Sequence, residues 1–159
     1  MFSDSKALAL AGVTFEYSGN PVLRDVSVDI DMGEMVAVIG PNASGKTTLL
    51  RLMTGTIRPQ EGQVYLGKEE MQKLRRKEIS RRIAVVPQQF TMPFAFTVNE
   101  VVMLGRTPYL NPLTEPSPYD SKIVSDVLRE LRIELLRDRV FNDLSGGERQ
   151  KVILAMALA

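Results

Sequence analysis

The stretch GPNASGKTTLL, residues 40–50, directly follows the apolar run MVAVI at residues 35–39. Because that run is apolar on both faces, it predicts a buried parallel strand. Leucine and methionine recur at helical spacing after residue 45 and predict a helix that ends near Gly55. A glycine, four residues and then GKT at 45–47 is the spacing of a phosphate-binding loop in the strand-to-helix context that such a loop requires.

The chemistry of phosphate binding explains the residue types in this loop. Glycines let the main chain wrap closely and turn N–H groups inward, and the helix start adds the positive end of its dipole. Lys46 supplies a charge for the β and γ phosphates, and the Thr47 hydroxyl can bind Mg²⁺. The Thr48 hydroxyl either contacts a phosphate or caps the helix. The predicted nucleotide-binding residues here are Gly40, Pro41, Asn42, Ala43, Ser44, Gly45, Lys46, Thr47 and Thr48.

Composition narrows the class of function. The chain has 159 residues, of which 44% are hydrophobic and 25% charged, as expected for one globular, soluble domain of cytoplasmic character. Its net charge of +1 favours no nucleic-acid partner, and the basic segment 68–82 lacks interleaved aromatic residues, which favours a solvated helix face. Cysteine and histidine are absent, which excludes thiolate and imidazole metal ligands among these residues. No apolar run approaches the roughly 20 residues of a transmembrane helix.

The rest of the chain changes from a mixed pattern to a helical one. Partial alternation at 7–17 and 22–30 predicts two antiparallel strands, and short strands are predicted at 63–66 and 83–86. From residue 97 onward the pattern is helical. Three helix starts are predicted from cap residues, at TVNE (97–100), SPYD (117–120) and SGGE (145–148).

Residues 144–150, LSGGERQ, form a second candidate anion site. A serine hydroxyl, two glycines that expose main-chain N–H groups and a new helix start together make an anion receptor. The alternative is an ordinary capped helix after a loop. Together with the phosphate-binding loop, this segment resembles the signature sequence of ATP-binding cassette (ABC) ATPases. The resemblance covers essentially the whole chain, and it implies that Ser145, Gly146, Gly147 and Glu148 bind nucleotide.

The resemblance assigns roles to further positions. Tyr17 lies where the family has an aromatic ring that stacks on adenine, although it could instead pack on the edge of the core. Gln88 matches the glutamine that senses Mg²⁺ and the membrane partner, with Gln89 as the rival assignment. The resemblance thus implies Lys46 and Gln88 as catalytic residues and Thr47 and Gln88 as metal-binding ones.

Residues 98–113, and LGRTPY at 104–109 above all, look most like the importers of iron-siderophore, haem and cobalamin. The implied fold class is α/β, a P-loop NTPase of ABC type with an antiparallel β edge, a parallel core sheet and an inserted helical subdomain. The implied divisions are an ATP-binding core at 1–89, a helical subdomain at 90–144 and the signature helix at 145–159.

The function that the resemblance implies is that of an ATP-binding transporter subunit using ATP and Mg²⁺. Its partners would be a second ATPase subunit, arranged head to tail, and transmembrane permease subunits, with the protein peripheral on the inner face of the cell membrane. Two alternatives remain: a non-hydrolysing nucleotide-binding fragment, and a soluble ABC ATPase such as one of iron–sulfur assembly. An ABC protein of DNA maintenance is disfavoured, because no coiled-coil heptads separate Lys46 from Ser145.

After the signature helix, the family has a strand that ends in Asp-Glu and a later histidine, and the sequence stops at Ala159. We therefore expect an N-terminal portion of an ABC ATPase whose C-terminal part is missing, inactive in hydrolysis by itself. We also expect Val36, Val38, Val85 and the apolar face of the 148–159 helix to lack packing partners, and the isolated fold to be marginal.

Overall fold

The computed structural model describes residues 6–111 and 115–159. These residues form two compact units with a boundary between Ile83 and Ala84, and each unit has its own hydrophobic core. The last two residues of the importer-like segment 98–113 lie outside the described residues.

The first unit contains a four-stranded antiparallel sheet. Its strands are β1 (Lys6–Tyr17), β2 (Asn20–Asp31), β3 (Glu61–Leu66) and β4 (Glu69–Glu70), in the order β2-β1-β3-β4. The predicted pair of antiparallel strands is therefore confirmed. The turn between β1 and β2 consists of Ser18 and Gly19, both with positive φ, as two-residue hairpins require.

One helix packs on this sheet. Helix α1 (Lys46–Met53) begins and ends close to where the sequence predicts, and it contributes Leu52 and Met53 to the core. A short 3-10 helix (Met71–Lys73) and α2 (Arg76–Ser80) follow β4. The buried core residues of this unit are Leu10, Val13, Phe15, Leu23, Leu52, Met53, Val64, Leu66 and Met71.

The second unit is helical. It contains α3 (Val98–Met103), α4 (Pro118–Glu130) and α5 (Gly146–Leu158). Short 3-10 helices occur at Leu104–Arg106, Glu134–Leu136 and Phe141–Asp143. The fully buried residues of its core include Val98, Val101, Val102, Val124, Leu128 and Val152. The expectation that the apolar face of the 148–159 helix lacks packing partners is wrong, because Val152, Ile153 and Ala155 are buried in this core.

The three helix starts predicted after residue 97 are all confirmed as capping boxes. In α3, α4 and α5 the cap hydroxyl accepts a hydrogen bond from the main-chain N–H three residues later. The carboxylate at that position in turn accepts a hydrogen bond from the main-chain N–H of the cap residue. The pairs are Thr97 with Glu100, Ser117 with Asp120 and Ser145 with Glu148.

Two predicted strands, the parallel one at 35–39 and the short one at 83–86, are not formed among the described residues. Residues 35–39 and 83–86 have no strand pairing within the described parts of the chain. Met35 is 97% exposed and Ile39 is 91% exposed, and Val36, Val38 and Val85 are exposed as expected. A strand needs a neighbouring strand to satisfy its main-chain groups, and no segment among the described residues takes that position. The α/β class and the antiparallel edge nevertheless stand.

Candidate nucleotide-binding site

The loop that precedes α1 has the backbone conformation of an anion-binding turn. Ala43 and Gly45 both adopt left-handed φ angles, 63° and 89°, within three residues of each other. Such alternation turns successive N–H groups toward one side of the chain. A side chain at Gly45 would be strained by this φ angle and would lie 3.0 Å from a methyl carbon of Leu23. Local packing therefore requires the second glycine of the motif.

The ammonium group of Lys46 closes the loop on itself. Its Nζ donates to the carbonyl oxygen of Gly40 at 2.8 Å and to that of Pro41 at 2.5 Å. These bonds hold the cation against the start of the loop. Because Lys46 is the first residue of α1, these bonds bring the start of the loop to the N-terminus of that helix.

The start of α1 is uncapped, unlike the starts of α3, α4 and α5. Gly45 occupies the cap position and no side chain bonds to the first turn, which contains no acidic residue. The N–H groups of that turn therefore keep their hydrogen-bonding capacity and the positive end of the helix dipole is not neutralised by the chain. These N–H groups and the Lys46 ammonium are donors of the kind that a phosphate group accepts, and Thr47, which is exposed, fits an Mg²⁺ ligand.

Tyr17 lies against α1. Its hydroxyl accepts a hydrogen bond from Nη1 of Arg51 at 3.4 Å, and a bond from the Thr48 hydroxyl is the main cause that lowers the pKa of Tyr17. The ring packs edge-on against Phe15, with centroids 4.8 Å apart, and remains 41% exposed. Of the two roles that the sequence left open for Thr48, the capping role is not observed, because the buried Thr48 side chain forms no cap bond at the start of α1. The phosphate contact stays a prediction.

Gln88 and Gln89 both lie in an irregular, exposed segment at the beginning of the second unit. The positions of the two side chains do not favour either residue as the Mg²⁺-sensing glutamine. Both remain predictions.

The candidate signature segment lies at the start of α5. The carboxylate of Glu148 accepts from the main-chain N–H of Ser145 at 2.8 Å and from its hydroxyl at 2.6 Å. These bonds from Ser145, first the hydroxyl and then the N–H, hold the pKa of Glu148 below its usual value. Glu148 is therefore charged at neutral pH, and its bonds to Ser145 hold that residue in place. The negative charge of Glu148 itself does not attract a phosphate.

Gly146 and Gly147 follow Ser145 in the first turn of α5 and are exposed. A Cβ built on either residue would meet nothing within 4 Å, and neither has a positive φ angle. Glycine in a helix interior is less favourable than alanine by about 0.8–1.0 kcal/mol. Packing among the described residues therefore does not require glycine at these two positions. Close approach of another molecule would require it.

Two arginines near the site were missed by sequence reasoning. Arg51 contacts Tyr17, and Arg149 donates from Nε to the Leu144 carbonyl at 2.9 Å and from Nη2 to the Asn142 carbonyl at 2.7 Å. Arg149 thereby fixes the loop that leads into Ser145. The only available signal was its place within LSGGERQ.

Within residues 6–111 and 115–159, no cluster of three or more acidic side chains could hold a metal ion by itself. No helix in those ranges combines the length and apolar character needed to cross a membrane.

Comparisons with known proteins agree with these motifs. The protein-family model described as "ABC transporter" matches residues 23–159. A hemin import ATP-binding protein of Rhodococcus jostii is 38% identical over 157 residues, which are 99% of this chain and 53% of that protein. A cobalamin import ATP-binding protein of Halobacterium salinarum is 40% identical over 152 residues, 96% of this chain and 38% of that protein.

A solved structure shares the fold. The nucleotide-free ATP-binding cassette of an ABC transporter superposes with a TM-score of 0.83 at 26% identity, covering 96% of this chain and 64% of that one. The chain thus spans between about a third and two thirds of the length of the proteins that it matches.

Proposed function

The chain belongs to the ABC transporter family, and from that premise we propose that it is the ATP-binding subunit of an importer. The observation that carries this proposal is the uncapped start of α1, preceded by a loop with two left-handed residues and closed by Lys46. A phosphate group would accept hydrogen bonds from the main-chain N–H groups at the start of α1 and would contact the charge of Lys46.

The remaining site residues take the roles that their positions allow. The exposed face of Tyr17 is available to stack on a base, and its hydroxyl is held by α1. Thr47 and Gln88 would hold Mg²⁺, which when bound compensates charge on the β and γ phosphates. Residues 145–148 of a second copy would approach the nucleotide, and this explains why Gly146 and Gly147 are open on their exposed side.

The activity of the whole protein is part of the same proposal. Closure of two copies around ATP would drive a transmembrane permease, and hydrolysis would release them. This places the protein in the cytoplasm, peripheral on the inner face of the membrane. Because the two relatives are named for hemin import and cobalamin import, chelated metal compounds are the preferred class of cargo.

The test is nucleotide binding by Lys46→Ala, measured with a fluorescent ATP analogue in the presence of Mg²⁺. Loss of the cation should weaken binding at least tenfold, an effect of about 1.4 kcal/mol or more. The matched control is Lys122→Ala on the exposed side of α4, which should change the Kd by less than twofold. Equal affinity of wild type and Lys46→Ala would refute the assignment of the loop.

A further inference from the structure

The second unit contains a buried ion pair that no step of the proposed function uses. Arg106 and Asp120 are each 6% exposed, and Nε of Arg106 donates to Oδ1 of Asp120 at 3.0 Å. Among the ion pairs described for residues 6–111 and 115–159, this is the one in which both side chains are less than a tenth exposed to solvent.

The guanidinium of Arg106 joins three segments of the unit. Besides Asp120, at the start of α4, its Nη1 donates to the main-chain oxygen of Ala159, directly after α5, at 2.6 Å. Its Cζ lies 4.1 Å from the ring centroid of Tyr109. Asp120 is in turn bonded by the N–H and the hydroxyl of Ser117. Each charged group of this junction therefore has several polar partners.

The residue before Arg106 brings the backbones together at the same place. A Cβ on Gly105 would lie 2.0 Å from the carbonyl oxygen of Met156, in the last turns of α5. The short 3-10 helix Leu104–Arg106 therefore packs directly on the main chain of α5. Any side chain at position 105 would force the two segments apart.

A buried ion pair is weak evidence for stability, because removing both charges from water costs about as much as their attraction returns. What such a pair does provide is one preferred arrangement, since an alternative packing would leave a charge buried without partners. Here the ion pair fixes the position of α5, whose 13 residues extend for about 20 Å. The signature segment lies at the N-terminal end of this helix, and the ion pair lies near its C-terminal end.

We propose that Arg106 is a positioning residue for the signature segment: with Gly105 and Asp120 it fixes the end of α5 against α4 and the 104–106 helix. Ser145, Gly146 and Gly147 are then presented in one orientation. This inference rests on the proposed function, because a fixed orientation of these residues matters only if they bind the nucleotide held by a second copy.

The test uses the natural full-length protein and the variants Arg106→Lys and Asp120→Asn. Lysine keeps the charge but lacks the planar fork that reaches two acceptors and lies on the Tyr109 ring. Two quantities are measured: the Kd of a fluorescent ATP analogue at dilute protein, and self-association with ATP by analytical ultracentrifugation. We expect the Kd to change less than twofold, whereas association weakens at least tenfold.

The matched control is Val127→Ala, a buried change in α4 away from the junction. It lowers stability without touching Arg106, so it should leave association unchanged at temperatures well below its Tm. The double variant Arg106→Lys with Asp120→Asn should associate no worse than the weaker single variant, because the two residues act through one junction. If Val127→Ala impairs association as much as Arg106→Lys, or if Arg106→Lys has no effect, the inference is wrong.

A separate readout distinguishes failure of this inference from failure of the proposed function. If the wild type neither binds nucleotide nor associates, the proposed function fails, and hydrogen exchange of residues 146–150 decides the positioning role. Faster exchange there in Arg106→Lys than in Val127→Ala supports it, and equal exchange overturns it.

Discussion

Gly146 and Gly147 show most directly what a single residue reveals about function in this chain. Their own surroundings leave room for a side chain and their φ angles do not require glycine. Gly105 is the opposite case, because a carbonyl oxygen of the same chain occupies the space that its Cβ would need. The two kinds of glycine therefore predict opposite results for the same substitution.

Gly147→Ala should leave the free energy of unfolding unchanged or raise it by up to about 1 kcal/mol, since alanine favours the helix. The added methyl group should instead obstruct the approach of a second copy. We expect self-association with ATP to fall at least tenfold while the Kd for a fluorescent ATP analogue stays within twofold. Unimpaired association would show that this face of α5 is not approached closely.

Gly105→Ala should lower the free energy of unfolding by roughly 1–3 kcal/mol, the usual range for overpacking. The cause is the 2.0 Å separation between the new Cβ and the Met156 carbonyl oxygen. The measurement is the urea midpoint of this variant against wild type and Gly147→Ala. A midpoint equal to that of the wild type would mean that the backbones separate at little cost.

The start of α1 differs in its hydrogen bonding from the starts of the three helices in the second unit. Helices α3, α4 and α5 begin with a hydroxyl and a carboxylate that satisfy one another, whereas α1 begins with no side-chain cap. A capped start is satisfied by its own chain. An uncapped start with a lysine beside it is left for an anion from outside.

The capping carboxylates make the second unit sensitive to acid. Bonds from Thr97, through its N–H and then its hydroxyl, lower the pKa of Glu100, and the hydroxyl of Ser117 is the main cause that lowers the pKa of Asp120. A carboxyl group with a lowered folded pKa stabilises the fold above its unfolded pKa, near 4, and loses that contribution as the pH falls through the folded value.

We therefore expect the urea midpoint to be constant from pH 7 to about 5 and to fall below about pH 4. Glu100→Gln should reduce the midpoint at pH 7 and flatten its decline toward pH 3, because the variant has one fewer proton to take up. Circular dichroism of the helices gives the midpoints. The same steep decline in Glu100→Gln as in wild type would show that this carboxylate does not contribute.

The molecule as a whole exposes an apolar segment that the sequence predicts to be buried. Met35 and Ile39 are almost fully exposed, and residues 36–39 line one open cavity of about 350 Å³ with Val28, Ile30, Leu49, Leu50 and Met53. An apolar surface of this kind promotes association of chains with one another.

Ile39→Lys should reduce binding of the dye ANS and delay aggregation of the 159-residue chain. Its Tm should not fall, because the Ile39 side chain is almost fully exposed in the folded protein and loses little burial when it is replaced. Ser121→Lys, on the exposed start of α4, adds the same charge away from the apolar segment and controls for solubility. Dye fluorescence and turbidity are the measurements. An equal improvement in both variants would attribute the effect to charge alone.

The sequence by itself determined the elements whose formation depends on neighbouring residues. The antiparallel hairpin, the start of α1 and the three capping boxes all follow from side chains within a few positions of each other, and all are present. Motif spacing also predicts two candidate anion sites, because a phosphate receptor is built from consecutive main-chain N–H groups, and both stay predictions.

Tertiary structure alone decided which residues have partners distant in the chain. The runs at 35–39 and 83–86 have the composition of buried strands, but a strand forms only where another pairs with it, and none does among the described residues. The junction of Arg106 with Asp120 and α5, and the bond from Arg51 to the Tyr17 hydroxyl, could not be predicted either, since charged and hydroxyl groups carry no periodicity that identifies their partners.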